Sequence, residues 1–470
     1  MSRRFVRLAF SILIFAALAL AITSRPKRMV DFDQTFYLTV AYDIVHHQVF
    51  SNGIFDDVDS TAATPPPGMF FSPLYPWLLA AAMKLDPRFG RAIDCTIEAN
   101  EKKRDLSTCE IYPWPMHLLH ALFLTAAVLA IAYAAEIIVS PRLFYPAAIL
   151  ATLAFAAEAE LFSYLMTESV WVSLYSVLMT AFIVALKSWR RRDFAIAGVI
   201  LGALCLTRVS FLAIAPVLIG IVLLYARSRL PRWRGAAGHA AALALALIVV
   251  MTPWVARNAV SLGRVALSEE YGSATLVERF AFNDMRTHEF VLAFPYCVPT
   301  VGPAVVGTLF GADAMRRFEW DQPGSFFAVG RGNRMALTAA HQRLDPIITR
   351  VVRDEMQRHG WRHVLTTFPL AWCGLWVSGL WSVIAIPLFV CACVMAARER
   401  NGLFFLYALP GFILVGVHAA LANHYARYNL GLVGPLAVGA AWMIARMVVG
   451  VRGTRLARLT ARTARRAWPG

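Results

Sequence analysis

Charge is scarce in this 470-residue chain: only 16% of its residues are Asp, Glu, Lys or Arg, against 59% hydrophobic ones. No single soluble core could bury so much apolar surface, so the composition excludes an ordinary water-soluble domain and indicates an integral membrane protein. Disordered and collagen-like classes are excluded with it. Seven cysteines are too few for a scaffold built on disulfides. Lysine is nearly absent, five residues against 40 arginines, a bias more typical of a GC-rich bacterial genome than of membrane physics. A zinc-type Cys/His cluster, a Walker loop and a Gly-rich dinucleotide turn are all missing. No internal repeat is visible, which weakens a transporter made of inverted halves. Segment 257–362 has no strand alternation of the kind that marks an appended β domain.

Long apolar runs, by contrast, are plentiful. A bilayer core of about 30 Å needs roughly 20 apolar residues per helical span. Ten segments qualify, near 5–23, 116–138, 143–158, 167–186, 194–207, 209–226, 237–254, 379–396, 403–421 and 430–449. The first follows Arg3, Arg4 and Arg7 and has the look of a signal peptide. A retained signal anchor is the better reading, because the residues of interest begin a few positions later. The expected fold class is therefore an all-α polytopic membrane protein of about ten spans.

The formal charge of +16 sets the orientation. With the N-terminus inside, 21 basic residues flank the inner ends of the spans against two acids, Asp193 and Glu399. The other 24 basic residues lie outside with 26 acids, and Glu136 sits alone in the second span. Both termini then face the cytoplasm, and the C-terminal arginines read as a solvated or headgroup-binding tail, not a nucleic-acid site. Two long segments are left outside, after the first and seventh spans, and this asymmetry places the chemistry on the outer face. The division is 1–256 as a transmembrane catalytic module with its first outer loop at 24–115, 257–362 as an outer segment, 363–449 as C-terminal spans, and 450–470 as a basic cytoplasmic tail. Cys95 and Cys109 bracket a charged outer stretch, where a disulfide closing 15 residues would contribute about 3 kcal/mol by loop entropy. Cys297 is left outside with no obvious partner, whereas Cys205, Cys373, Cys391 and Cys393 lie in or beside spans.

Directly after the first span comes DFDQTFYLTVAYDIVHHQVFSNG. Phe36, Tyr37, Val40, Ala41, Ile44 and Val45 recur at three and four, the stripe of a helix lying on the membrane surface. Asp31 and Asp33 stand at its N-terminal end, where the helix dipole favours a carboxylate. Asp33 reads either as an N-cap or as a catalytic base. His46 and His47 are adjacent, about 100° apart on a helix, and are poor ligands for one ion. A second element, TPPPGMFFSPLYPWLLAAAMKLDPRFG, suits another interfacial helix opened by Pro76.

With these motifs the chain resembles the polyprenyl-phosphate-sugar-dependent glycosyltransferases of the GT-C superfamily, in particular the protein O-mannosyltransferase and aminoarabinose-transferase-like enzymes. The likeness rests on the Asp near the exit of the first span with Tyr37 four residues on, and on the Pro-rich "PPG…YP" helix. It continues through LFSYLMTESVWVSLYSVLM, LTRVSFLAIAP, MTPWVARNAVSLGRVALSEEYG, RHVLTTFPLAWCGLWVSGLW and NHYARYNLGLVGP, in order and on the expected outer side.

The resemblance implies transfer of a sugar from a polyprenyl-phosphate donor to an envelope glycan, lipid or protein acceptor, on the outer face of a bacterial cytoplasmic membrane. It assigns the general base to Asp33, with Asp31 as the neighbouring alternative, and inversion at the anomeric carbon. Glu168, at the outer mouth of the fourth span, is a candidate for acceptor or metal positioning or simply a solvated helix-start acid. Arg427 is the candidate for the donor phosphate, with snorkelling to the interface as its bland reading. His424 and Arg257 are weaker helpers. Tyr37, Tyr75 and Tyr428 are candidates for the substrate groove, and Arg208 faces either a polar cavity or a headgroup. Such enzymes often carry Asp-Glu in the first outer loop. Here the second acid is Gln34, which argues against a metal bridged by such a pair, although a divalent ion stays open. The rival class is a lipid-linked-sugar flippase or other transporter.

Overall fold

The computed structural model describes residues 3–25, 29, 33–53, 64–102, 104–227, 233–269, 273–320, 322–340, 346–422 and 425–466. Among these residues every regular element is helical and there is no strand. The first half comprises α1 (Arg3–Thr23), α2 (Gln34–His46), α3 (Leu74–Leu85), α4 (Pro87–Glu101), α5 (Trp114–Ile138), α6 (Phe144–Ala157), α7 (Ala159–Ser163), α8 (Glu168–Ser188), α9 (Arg191–Cys205) and α10 (Ile214–Arg227). The second half comprises α11 (Trp233–Leu262), α12 (Ser273–Phe280), α13 (Thr287–Tyr296), α14 (Val301–Phe310), α15 (Ala312–Arg316), α16 (Phe326–Ala340), α17 (Pro346–Gly374), α18 (Leu380–Arg398), α19 (Gly402–Leu421) and α20 (Val433–Arg466).

Among the described residues seven helical stretches are long and apolar enough to cross a membrane: α1, α5, α8, α18, α19, the Gly235–Leu262 part of α11, and Ala426–Val449 leading into α20. The other three segments expected as spans are helices of 14 or 15 residues, α6, α9 and α10. Two of them are lengthened by 3-10 turns, Pro141–Leu143 before α6 and Val209–Ala213 before α10. Exposed apolar side chains mark the outside of the bundle, as on α1, where Phe5, Leu8, Ile12, Leu13 and Leu20 all face outward. The centre is α8, with Trp171, Tyr175, Leu178 and Phe182 fully enclosed. Small residues allow close helix approach, as membrane packing favours. A Cβ on Gly198 of α9 would stand 2.2 Å from the Leu243 carbonyl oxygen of α11. Glu136 of α5 does not lie alone: Arg7 of α1 donates to its carboxylate at 2.5 Å, which removes the cost of an isolated charge in a span.

Outside the long helices, α2, α3 and α4 form a compact platform. Asp86 caps α4, accepting from the Arg88 and Phe89 amides, with Pro87 at its first position. Cys95 and Cys109 are bonded, with Cα atoms 5.6 Å apart, and Arg88 donates to Glu110 at 3.0 Å beside them. The region from α12 to α17 is held by a second disulfide that joins Cys297 to Cys373, 76 residues on. The sequence hid this pair because Cys373 sits among apolar residues at the last turn of α17. That helix runs through the 362/363 boundary drawn from hydropathy, with its one non-helical residue at His359. Likewise α20 continues through the basic stretch to Arg466. Arg279 of α12 is fully buried and is satisfied by neutral acceptors, including Ala419 O at 2.6 Å, Asn283 Oδ1 at 3.2 Å and Thr366 Oγ1 at 3.0 Å. Burial pushes its pKa down to about 9.

Candidate functional site

Asp33 immediately precedes α2, and its side chain makes no capping hydrogen bond to that helix. Instead Arg427 Nη2 donates to its Oδ2 at 3.1 Å. Gln34 explains how Asp33 is held. Its side-chain oxygen, 1% exposed, accepts from the Leu165 amide at 2.7 Å. This fastens the start of α2 to the turn that leads into Glu168. A neutral carbonyl suits that slot, since a carboxylate would bring a charge into a dry position.

The Pro-rich loop is fixed by side chains that reach its backbone. Asn52 Oδ1 accepts from the Met69 and Phe70 amides, both at 2.9 Å. Arg257 Nη2 donates to Phe50 O at 3.0 Å, and its Nη1 to Gly68 O at 2.5 Å and Asn258 Oδ1 at 2.9 Å. Arg257 is therefore bonded to loop carbonyls and is not among the residues that line the cavity described below. The loop it secures presents Phe70 and Phe71 to that cavity.

The cavity has a volume of about 550 Å³ and gathers Asp33, Glu168, Arg208 and Arg427 with Tyr37 and Tyr428. Glu168, in the first turn of α8, is only 3% exposed. Its Oε1 lies 3.7 Å from Arg208 Nη1 and 3.9 Å from Arg427 Nη1, and its Oε2 has no hydrogen-bond partner among the described residues. Arg208 is 6% exposed, with its guanidinium 4.6 Å from the Tyr428 ring centroid, so it faces the cavity and not a headgroup. Tyr75 is fully buried behind Tyr37, bonded to His120 Nε2 at 3.1 Å. It thus supports the wall without lining the groove. Asp31 and His424 lie outside the described residues.

As a metal site the arrangement fits poorly. Asp33 and Glu168 each already face a guanidinium, which opposes a divalent cation between them. No group of three His, Cys, Asp or Glu among the described residues could complete a ligand set.

Sequence reasoning missed the outer wall. Glu278 of α12, Trp320, and Arg331 and Arg334 of α16 also line the cavity, together with Tyr425. Arg334 Nε lies 3.3 Å from Glu278 Oε2. Arg331 Nη2 donates to Trp320 O at 2.9 Å, with its guanidinium 4.0 Å from the Trp320 ring centroid. The signal available was two arginines three apart in FFAVGRGNRMAL, which places them on one helix face. A larger hollow of about 1030 Å³ lies among α13, α14 and α15, and its buried acid, Glu289, is occupied by Arg317 at 2.9 Å.

No family model matches the sequence, and no curated protein sequence matches it. Solved structures do. The archaeal oligosaccharyltransferase AglB from Archaeoglobus fulgidus, in complex with an inhibitory peptide and a dolichol-phosphate, matches 97% of this chain with a TM-score of 0.52 and 12% identity. That is a likeness of fold along nearly the whole chain. The oligosaccharyltransferase of the same organism in complex with Zn and sulfate matches 96% of the chain with a TM-score of 0.50 and 13% identity. This chain spans about half of those enzymes, 52% and 51% of their lengths. ArnT from Cupriavidus metallidurans, bound to undecaprenyl phosphate, matches 93% of this chain and 78% of its own, with a TM-score of 0.43 and 13% identity. The GT-C likeness inferred from short motifs thus stands as a likeness of fold, and a polytopic membrane protein is its setting.

Proposed function

We propose that the protein is a membrane glycosyltransferase that moves a sugar from a polyprenyl-phosphate donor to an envelope glycan, lipid or protein acceptor, on the periplasmic face of a bacterial inner membrane. The observation that carries this reading is the meeting of Asp33, Glu168 and Arg427 around one cavity. A flippase needs no such meeting of two carboxylates and a guanidinium around one cavity.

In this reading the acceptor hydroxyl attacks the anomeric carbon and gives its proton to Asp33. The bond from that carbon to the phosphate oxygen breaks, and its electron pair leaves with the phosphate. Polyprenyl phosphate is a weak base and needs no protonation, so a single general base suffices, and displacement from the opposite side inverts the sugar. Arg427 stabilises the charge growing on the departing phosphate, a role suited to a guanidinium fixed before the reaction. Glu168 offers its unpartnered oxygen to an acceptor hydroxyl and holds Arg427 from behind. Tyr37, Phe70 and Phe71 provide the apolar side on which sugar and carrier rest. No step is routed through a metal.

The test is glycan and lipid mass spectrometry on a deletion strain complemented with wild type or with Asp33→Asn. Loss of one glycan modification, with build-up of its lipid-linked donor, is expected in the deletion and in the variant. Normal transfer by stably expressed Asp33→Asn would remove Asp33 from the mechanism.

A further inference from the structure

A helix on a water-soluble surface turns its polar side out and its apolar side in. The second half of α17 does the reverse. His363, Thr366, Leu370 and Cys373, spaced at three and four, are all buried, and the first two are polar. Trp361, Val364, Leu365 and Phe368 on the opposite side are 45–62% exposed. Before the non-helical residue at His359 the helix has the ordinary pattern, with Arg350, Arg353 and Arg358 exposed and Ile348 fully buried. Composition changes at the same place: no Asp, Glu, Lys or Arg occurs from His363 to Ala397. A single span uses about 20 residues, which α18 supplies from Leu380 onward, so the uncharged run begins well ahead of it.

Contacts with α19 fix how deep this half-helix lies. His363 Nε2 donates to Ala420 O at 2.9 Å, near the end of α19 at Leu421, beside the cavity-lining Ala422. At the far end of the half-helix, a Cβ on Gly374 would stand 3.4 Å from Val415 Cγ1. At 1.5 Å per residue Val415 lies about 9 Å inside that end of α19. The half-helix thus runs down the flank of a span. Its inward polar groups are met by protein, since Arg279 of α12 donates to His363 O at 3.3 Å and to Thr366 Oγ1 at 3.0 Å. Its outward side meets whatever surrounds the spans.

We propose that the stripe of Trp361, Val364, Leu365 and Phe368 is a lipid-contact surface, with α17 dipping into the bilayer from His363 onward and the acyl chains of the surrounding phospholipid as its occupant. Along the chain the stripe continues into the outward side of α18, where Leu380 and Ile384 are 60% and 67% exposed. Trp361, with the Arg362 guanidinium 5.4 Å from its ring centroid, stands at headgroup level. The expected span at 379–396 is therefore preceded by a half-span. Through Arg279, the α12 wall that brings Glu278 to the cavity rests on a helix seated in the membrane. This surface follows from the polytopic fold and does not depend on the transferase reading.

The test uses the purified full-length protein in phospholipid nanodiscs, carrying Cys391→Ala and Cys393→Ala and one new thiol at a time. Val364→Cys and Phe368→Cys report on the stripe, and Arg353→Cys is the aqueous reference on the same helix. A charged, water-soluble maleimide should modify the stripe thiols at least about tenfold more slowly than the reference, because a thiol in a dry surrounding ionises less readily and only the thiolate reacts. Nitroxides on the same thiols should collide more often with oxygen, which dissolves among acyl chains, than with a water-soluble nickel chelate, and the reference should show the reverse order. Stripe thiols that match Arg353→Cys by both measures overturn the proposal. Stripe nitroxides shielded from oxygen and chelate alike overturn it too, because a protein partner or a second copy then covers the stripe. If either stripe variant loses heat stability, Leu365→Cys takes its place and is judged by the same two measures.

Discussion

The two walls of the cavity are built by different means. On the membrane-side wall the backbone is held by side chains, with Gln34 and Asn52 accepting from amides and Arg257 donating to carbonyls, while the charged groups Asp33, Glu168, Arg208 and Arg427 face one another. The outer wall is held by ion pairs, stacked rings and a long-range disulfide, through Arg334–Glu278, Arg331 on Trp320, and Cys297–Cys373. Backbone-directed bonds fix a loop in one register and tolerate little change. Side-chain pairs and a distant crosslink hold a separately formed unit in place. Under the proposed function, the first wall suits the reacting atoms and the second suits recognition of what varies among substrates.

The largest expected effect separates chemistry from support. Asp33→Asn should lower the transfer rate by about 10²–10⁴-fold with little change in donor affinity, measured as single-turnover transfer against lipid binding. Equal losses in both would make Asp33 part of the binding surface. Next come the crosslinks. By chain entropy, Cys297→Ser should cost about 4 kcal/mol and Cys95→Ser about 3 kcal/mol, read as unfolding in mixed micelles. The first should also loosen the outer wall, visible as faster proteolysis within 297–345. If Cys95→Ser proves the costlier, the outer wall does not depend on its disulfide.

Smaller still is a pH effect from the platform under the membrane-side wall. Asp43 of α2 is buried, and burial raises its carboxyl to about 6 while the hydrogen bond from Ser51 pulls the other way. A carboxyl raised in the folded state favours the protonated fold. Its contribution is full below about pH 4 and is lost as pH rises through about 6. Asp43→Asn should therefore stabilise the protein at pH 7.5 by about 2–3 kcal/mol and change little near pH 4, which thermal unfolding at the two values will decide. The smallest effect is expected from Arg257→Lys. An ammonium cannot fork to two carbonyls, so the Pro-rich loop should shift and donor KM rise by about threefold to tenfold, with kcat less affected.

Legibility in the sequence follows the same division. The long apolar runs gave the spans, and the Asp and Arg beside them were readable because charge at a span mouth is costly enough to stand out. Gln34 was readable only as a departure from a pattern. Its purpose lies in a bond to Leu165, 131 residues away. Arg257 was ambiguous because a cation next to a span looks alike whether it meets a phosphate or a carbonyl, and here it donates to the carbonyls of Phe50 and Gly68. Arg331 and Arg334 passed unnoticed, since two arginines on a short outer helix resemble an ordinary solvated face until the fold turns that face inward. The three shorter segments are helical where hydropathy put spans, as α6, α9 and α10, but their helical length was not visible, because 3-10 turns carry no distinct composition.

The Cys297–Cys373 bond also fixes an order of events in the making of the protein. It joins the end of α13 to the last turn of α17, so in the proposed topology it closes only after α17 has been synthesised and both thiols have reached an oxidising compartment. The membrane-side wall is not complete before that either, since Arg427 lies beyond Cys373 in the chain. Both walls therefore wait for nearly the whole chain, and in that topology a cell impaired in thiol oxidation should accumulate a protein that lacks the bond across α13 and α17.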